Sequence, residues 1–163
     1  MVRIKVKHIL LIIFLNFIFI NTYESTTLNE NKLKEYYKIE FYKNLHDNVF
    51  SEELLRECLI YEEVQNIEIV IKQARLETGN YTSDLFKNGN NLFGMKYPRR
   101  RITTAIGKYK GHAKYDHWID SVKDYKLFQD WYLSKGFTFD NYYAFLNKIG
   151  YAVDKRYITK LKI

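Results

Sequence analysis

A chain of 163 residues with 47% hydrophobic content can bury one globular core and is too short for two sizeable ones, so one domain is expected. Its single cysteine, Cys58, excludes an intramolecular disulfide and so the disulfide-stapled class of small secreted folds; a buried, inert thiol is expected there. The net charge of +7 is unevenly spread: between Lys96 and Lys114 there are seven cations and no carboxylate, a block that favours a polyanionic partner.

At the N-terminus Arg3, Lys5, Lys7 and His8 precede an apolar run from Ile9 to Ile20 that only Asn16 interrupts, the layout of a targeting segment. At about 1.5 Å per helical residue such a run spans roughly 18 Å, short of the roughly 30 Å hydrocarbon core of a bilayer. Residues 1–22 therefore read as a signal peptide, or as an N-terminal anchor where the Asn21-Thr22-Tyr23 stretch, which offers no small-x-small pattern, escapes cleavage. Both readings place the domain in the periplasm or outside the cell, and loss of the three leader cations leaves a net charge of +4.

Residues 23–50 form a lead-in, polar from Glu24 to Asn31 and compatible with a helix from Leu33 to Leu45. From 51 onward the elements are more sharply marked. Ser51 ahead of Glu52 and Glu53 is a helix start, with a capping hydroxyl and acids suited to the positive end of the dipole, and predicts a helix over Glu52–Glu62. Ile67, Val70, Ile71 and Ala74 recur at helical spacing and Gly79 is placed to end the helix they mark, read as Asn66–Thr78. The stretch Asn80–Lys96 is irregular, with one short helical turn at Ser83–Phe86. Ile102, Thr103, Thr104, Ile106 and Tyr109, punctuated by Gly107 and Gly111, predict a basic β-hairpin over Arg100–Tyr115. Helices over Trp118–Leu133, Asp140–Ile149 and Lys155–Ile163 complete a mostly helical α+β domain, with Asp154 as cap of the last.

On a helical wheel Glu77 falls roughly 20° from Val70, at the edge of the apolar stripe. A carboxyl there loses hydration, which favours the protonated form that a general acid needs near neutral pH. Taken alone, the position is better explained by an ordinary glutamate near a helix end.

The surrounding residues are more specific. Gln73, Ala74, Leu76, Glu77, Thr78 and Gly79, followed by Asn90, Asn91, Leu92, Phe93, Gly94, Met95 and Lys96, resemble the glucosaminidase family, glycoside hydrolase family 73. In that family an acid-bearing Glu-Ser-Gly triplet precedes an Asn-Asn-Leu-Phe-Gly-Ile-Lys segment; here Thr78 and Met95 are mild departures. Tyr115, Trp118, Ser121, Val122, Asp124 and Tyr125, and then Gly150, Tyr151, Ala152, Val153, Asp154 and Tyr157, resemble two further family segments in the same order.

The resemblance implies a lysozyme-like domain over 51–163 and a peptidoglycan hydrolase that cuts the β-1,4 bond between N-acetylglucosamine and N-acetylmuramic acid. It puts Glu77 at the family's acid and Tyr151 beside the cleaved bond, where its phenol would steer an acetamido group or stabilise developing positive charge; a buried structural tyrosine is the alternative. Asn91, Phe93, Gly94, Tyr115 and Trp118 are implied in substrate binding, although the aromatic rings suit a core as well as a groove. Many family members carry a second carboxylate in the hairpin, and this chain has none from Lys96 to Tyr115. Asp116, Asp120 and Asp124 are nearest in sequence, but Asp124 matches a structural position, so catalysis assisted by the substrate's own N-acetyl group is the expected route.

Two other readings stay open: a lytic transglycosylase, which would leave anhydro ends, and a wall-binding protein whose catalysis has lapsed. No nucleic-acid recognition motif backs the basic segment, so glycan strands and not nucleic acid are the expected partner. His8, His46, His112 and His117 form no metal-ligand pattern, and neither metal nor cofactor is expected. Membrane contact is expected only through an uncut N-terminal segment, and the protein is expected to be a monomer.

Overall fold

The computed structural model describes residues 29–163; the leader expected over 1–22 and the first residues of the lead-in lie outside them. The chain divides into two units between Val49 and Phe50, the first described from residue 29 onward. In the first, helix α1 covers residues 29–47, longer than the Leu33–Leu45 stretch marked by sequence, and Asn48 closes its end by donating from Nδ2 to the Asn44 carbonyl at 2.8 Å. None of the described helices is long and apolar enough to cross a membrane.

The second unit runs α2 (Glu52–Tyr61), α3 (Ile67–Thr78), α4 (Asp84–Gly89), β1 (Gly107–Tyr109), β2 (His112–Lys114), α5 (Trp118–Leu133), α6 (Tyr142–Ile149) and α7 (Tyr157–Lys162). It is a mostly helical, lysozyme-like α+β fold. Its core is drawn from one face of each long helix: Leu55, Cys58 and Leu59 of α2, Val70, Ile71 and Ala74 of the stripe that sequence marked in α3, and Trp118, Ile119, Val122 and Tyr125 of α5. Burial pushes the Cys58 thiol well above its ordinary pKa, so the sulfur stays protonated and unreactive.

The caps explain the boundaries. Ser51 Oγ accepts from Leu54 N at 3.2 Å and Ser83 Oγ from Phe86 N at 3.2 Å, starting α2 and α4. Gly79, at φ +55°, ends α3 in the left-handed conformation that glycine adopts without cost. His117 starts α5 through a reciprocal capping box with Asp120, a cap that the usual residue preferences do not announce.

Within this unit α4 runs on to Gly89, past the turn expected at Ser83–Phe86, and the hairpin, α6 and α7 are shorter than expected. The hairpin is confined to 107–114, with Gly107 opposite Lys114, Lys108 opposite Ala113 and Tyr109 opposite His112. Lys110 (φ +46°) and Gly111 (φ +78°) form its two-residue turn, the left-handed pair that matches strand twist. Upstream, Thr103 Oγ1 accepts from Ala105 N at 3.1 Å and Thr104 Oγ1 donates to the Asp120 carbonyl at 2.6 Å, so β-prone residues are diverted from strand pairing by their own hydroxyls. Helix α6 begins at Tyr142 because Asn141, not Asp140, caps it, accepting from Ala144 N at 3.0 Å. Helix α7 begins at Tyr157 because Asp154 forms a turn first: its carboxylate accepts from Arg156 N at 2.8 Å and its carbonyl from Tyr157 N at 2.9 Å. Asp154 thus anchors the approach to α7 without being its cap residue.

Candidate functional site

Glu77 sits in the last turn of α3, half-buried, where the helix meets the segment that follows α4. Its carboxyl lies against the backbone of Gly94: a Cβ added at Gly94 would stand 2.5 Å from Glu77 Oε2, closer than any side chain can approach. Gly94 also has φ +63°, so its conformation favours glycine, and any side chain there would push the Glu77 carboxyl aside. Desolvation raises the Glu77 pKa above the ordinary carboxylate value, and a hydrogen bond from the neighbouring Tyr157 hydroxyl pulls it part of the way back. Among the described residues no charged group contributes to that shift.

Tyr151, one residue beyond the Gly150 that ends α6, donates its hydroxyl to the Phe93 carbonyl at 2.8 Å. Its ring stacks on Tyr157 at 5.8 Å between centroids and meets Phe128 edge-on at 5.8 Å. Burial pushes its phenol well above the ordinary pKa, with the charge on Glu77 adding to the shift, so Tyr151 is a neutral hydrogen-bonding group at physiological pH. Gly94 and Tyr151 both line an open cleft of about 290 Å³, whose walls include Met95, Phe128, Tyr132 and Gly150. That volume is near the lower end for ligand pockets, roughly 300–1,000 Å³. Glu77 is not itself a wall of the cleft; it stands behind Gly94 at the margin.

Four of the residues expected to bind substrate are in the core instead. Asn91 is 1% exposed. Its Nδ2 donates to the carbonyls of Met95 and Ala113 at 3.0 and 2.8 Å, and its Oδ1 accepts from Phe93 N and Met95 N at 3.2 and 3.1 Å. Two donors and two acceptor positions are thereby used, leaving nothing for an acetamido group. Phe93 is fully buried against Tyr125, with centroids 4.4 Å apart, and only its carbonyl reaches the site, through Tyr151. Tyr115 is fully buried with its hydroxyl donated to Asp124 at 2.7 Å, and Trp118 is buried against Phe50 at 5.3 Å. These side chains shape the site from beneath; Gly94 is the one member of the set that reaches the cleft.

The acids considered for a second catalytic role are accounted for in part. Asp124 is fully buried in a two-pronged ion pair with Arg101, at 2.6 and 3.0 Å, and Asp120 is engaged in the α5 capping box and with Lys123 at 3.5 Å. Asp116 is exposed and contributes its carbonyl to Asn90. His117 serves as the α5 cap, and His112 faces Lys96 Nζ at 2.9 Å. Among the described residues there is no cluster of three potential metal ligands.

Sequence reading gave no role to Gln73 or Arg101. Gln73, four residues before Glu77 and so on the same helical face, is fully buried and bonded to Tyr157 and Tyr125. Arg101 holds the irregular segment before the hairpin to α5. The spacing of Gln73 to Glu77 carried a usable signal; that of Arg101 to Asp124 carried none.

The chain is 44% identical over 57 residues to the protein bax of Escherichia coli (strain K12), a match that covers 35% of this chain and 21% of that protein. The alignment therefore spans about a fifth of the relative's length. No solved structure matches the chain. The family model described as glucosaminidase, mannosyl-glycoprotein endo-beta-N-acetylglucosaminidase, matches residues 52–163, and the chain belongs to that family of glycoside hydrolases.

Proposed function

We propose that this protein hydrolyses the β-1,4 bond between N-acetylglucosamine and N-acetylmuramic acid in peptidoglycan, with Glu77 as the acid. The observation that carries the reading is the Glu77 carboxyl, half-buried at the end of α3, raised in pKa by desolvation and set against a glycine backbone at the margin of a cleft. A carboxylic acid kept protonated towards neutral pH can give its proton to the departing sugar oxygen, a contribution typically worth about 10²–10⁴ in rate.

The rest of the mechanism follows from what surrounds Glu77. Two-carboxylate mechanisms need a partner within roughly 5–9.5 Å, and the acids considered for that role are buried in an ion pair, tied into a helix cap, or exposed in the link to α5. Substrate assistance fits better. The carbonyl oxygen of the 2-acetamido group bonds to the anomeric carbon as the bond to the leaving oxygen breaks and Glu77 protonates that oxygen. Water then opens the cyclic intermediate, returning its proton to the Glu77 carboxylate. Tyr151, neutral and fixed by its bond to the Phe93 carbonyl, is one of the residues lining the cleft and would help to orient the acetamido group there.

The exposed cations Lys96, Arg99, Arg100 and Lys108 suit a substrate rich in peptide carboxylates, and the leader-like N-terminus suits an exported enzyme. Mass spectrometry of fragments released from purified peptidoglycan by the protein and by its Glu77→Gln variant tests the reading. Soluble fragments with reducing N-acetylglucosamine ends, absent with the variant, are expected. Anhydro ends would point to a transglycosylase, and no release by a folded, wall-bound protein to a binding function.

A further inference from the structure

Behind Glu77 a series of neutral polar side chains runs through the core, and its hydrogen-bond directions can be worked out from one end. Gln129, 1% exposed on α5, meets the backbone of Gln65: its Oε1 accepts from Gln65 N at 2.8 Å and its Nε2 donates to the Gln65 carbonyl at 2.9 Å. A backbone N–H can only donate and a carbonyl only accept, so the orientation of the Gln129 amide is forced. The second Nε2 proton goes to the Tyr142 hydroxyl at 2.8 Å.

From there each group hands its proton onward. Tyr142, accepting from Gln129, donates to the Tyr125 hydroxyl at 2.7 Å, and Tyr125 donates to Gln73 Oε1 at 2.6 Å. That orients the Gln73 amide, whose Nε2 donates to the Tyr157 hydroxyl at 3.2 Å. Gln73 lies one helical turn before Glu77 on the same face of α3, which brings the Tyr157 hydroxyl it holds towards the end of the helix that carries Glu77. Reversing any step would leave two donors or two acceptors face to face in a dry core, which costs more than a single lost bond.

We propose that Tyr157 is a positioning residue for Glu77, held as an obligatory hydrogen-bond donor by this one-way series that begins at the Gln65 backbone. This rests on Glu77 being the acid, and has two consequences. Tyr157 has one hydroxyl proton, directed at Glu77, so the carboxyl oxygen it reaches is the acceptor and the acid's own proton sits on the other oxygen, free for the substrate. The same bond favours the carboxylate and so limits how far burial can raise the pKa, which leaves Glu77 able to act as a base in the second half of the reaction.

The test is the ionisation of Glu77 itself, read in the full-length protein by ¹³C NMR of carboxyl-labelled glutamate, with Glu77→Gln assigning the signal. In Tyr157→Phe the titration midpoint should move up by about one pH unit, the size expected for losing a hydrogen bond to a charged group. Gln73→Met, which removes the donor that holds Tyr157, should move it in the same direction by less. Where fragment release is measurable, the high-pH limb of kcat/KM should rise in step. An unchanged midpoint in a folded Tyr157→Phe variant, or a downward one, overturns the proposal even where melting temperature or kcat falls. Should Tyr157→Phe fail to fold, an unchanged midpoint in Gln73→Met does the same. The NMR readout needs no turnover, so absence of peptidoglycan cleavage would overturn the proposed function and leave this measurement intact.

Discussion

Behind Glu77, among α3, α5, α6 and α7, neutral side chains hydrogen-bond one another out of water, from Gln129 through Tyr142, Tyr125 and Gln73 to Tyr157. On the other side of Gly94 the segment from Asn91 to Tyr115 is held differently, by an asparagine laced to four backbone groups and by one buried ion pair, Arg101 with Asp124. The first arrangement joins regular helices and can afford side-chain partners because the helices satisfy their own backbone. The second must fix irregular chain, whose free N–H and C=O groups need side chains to answer them. A cleft bounded by both has a rigid back and a front whose shape depends on a few polar residues.

That contrast can be broken most sharply at Asp124. Removing one member of a buried ion pair strands the other, and Asp124→Ala is expected to cost about 3–5 kcal/mol in urea unfolding. A cost under about 1 kcal/mol would mean that the segment before the hairpin is held by something else. Replacing both partners by apolar residues should be milder, since no charge is then left without an answer.

Gly94 comes next, because it is where the two sides touch. Gly94→Ala puts a methyl group into the Glu77 carboxyl and forces a left-handed backbone on alanine. Displacement of the acid by about 1 Å is expected to lower kcat roughly 100-fold, against a smaller loss of stability. Kinetics equal to wild type would show that the carboxyl can move aside without penalty.

The smallest effect concerns pH and stability. The folded-state pKa of Glu77 is raised, so the native state holds its proton more tightly than the unfolded chain does. Stability is therefore greatest below the unfolded pKa and falls as pH rises from there through the folded value. Glu77→Gln, which stays neutral, should melt higher than wild type above the folded pKa. The difference should vanish below the unfolded pKa. A variant that melts lower at every pH would place the Glu77 carboxylate in a stabilising pair instead.

Helices and their order were legible in the amino-acid sequence because their signals are local: Ser51, Gly79 and the Ile67-Val70-Ile71-Ala74 stripe each act within a turn or two of chain. The same holds for Glu77, whose place at the edge of an apolar face follows from helical spacing alone. The limits of the hairpin were not legible, since Ile102, Thr103 and Thr104 favour strand by propensity while their segment is turned away from it by partners elsewhere, Asp124 and the Asp120 carbonyl among them. Nor was the fate of Asn91, Phe93, Tyr115 and Trp118. An amide or an aromatic ring suits a sugar groove and a core equally, and sequence spacing does not say which side of the chain will be covered.

By itself, then, the sequence determined the helical frame, the family and the position of one carboxyl at a helix end, because periodicity and short motifs are properties of neighbouring residues. Tertiary structure alone decided that Gly94 presses on that carboxyl, that Asn91 spends every hydrogen bond on the backbone, and that Gln73 and Tyr157, 84 residues apart, meet on the face of α3 that carries Glu77. Those contacts join parts of the chain whose meeting depends on how the helices pack, and packing is settled by the burial of the whole core and not by any one segment of it.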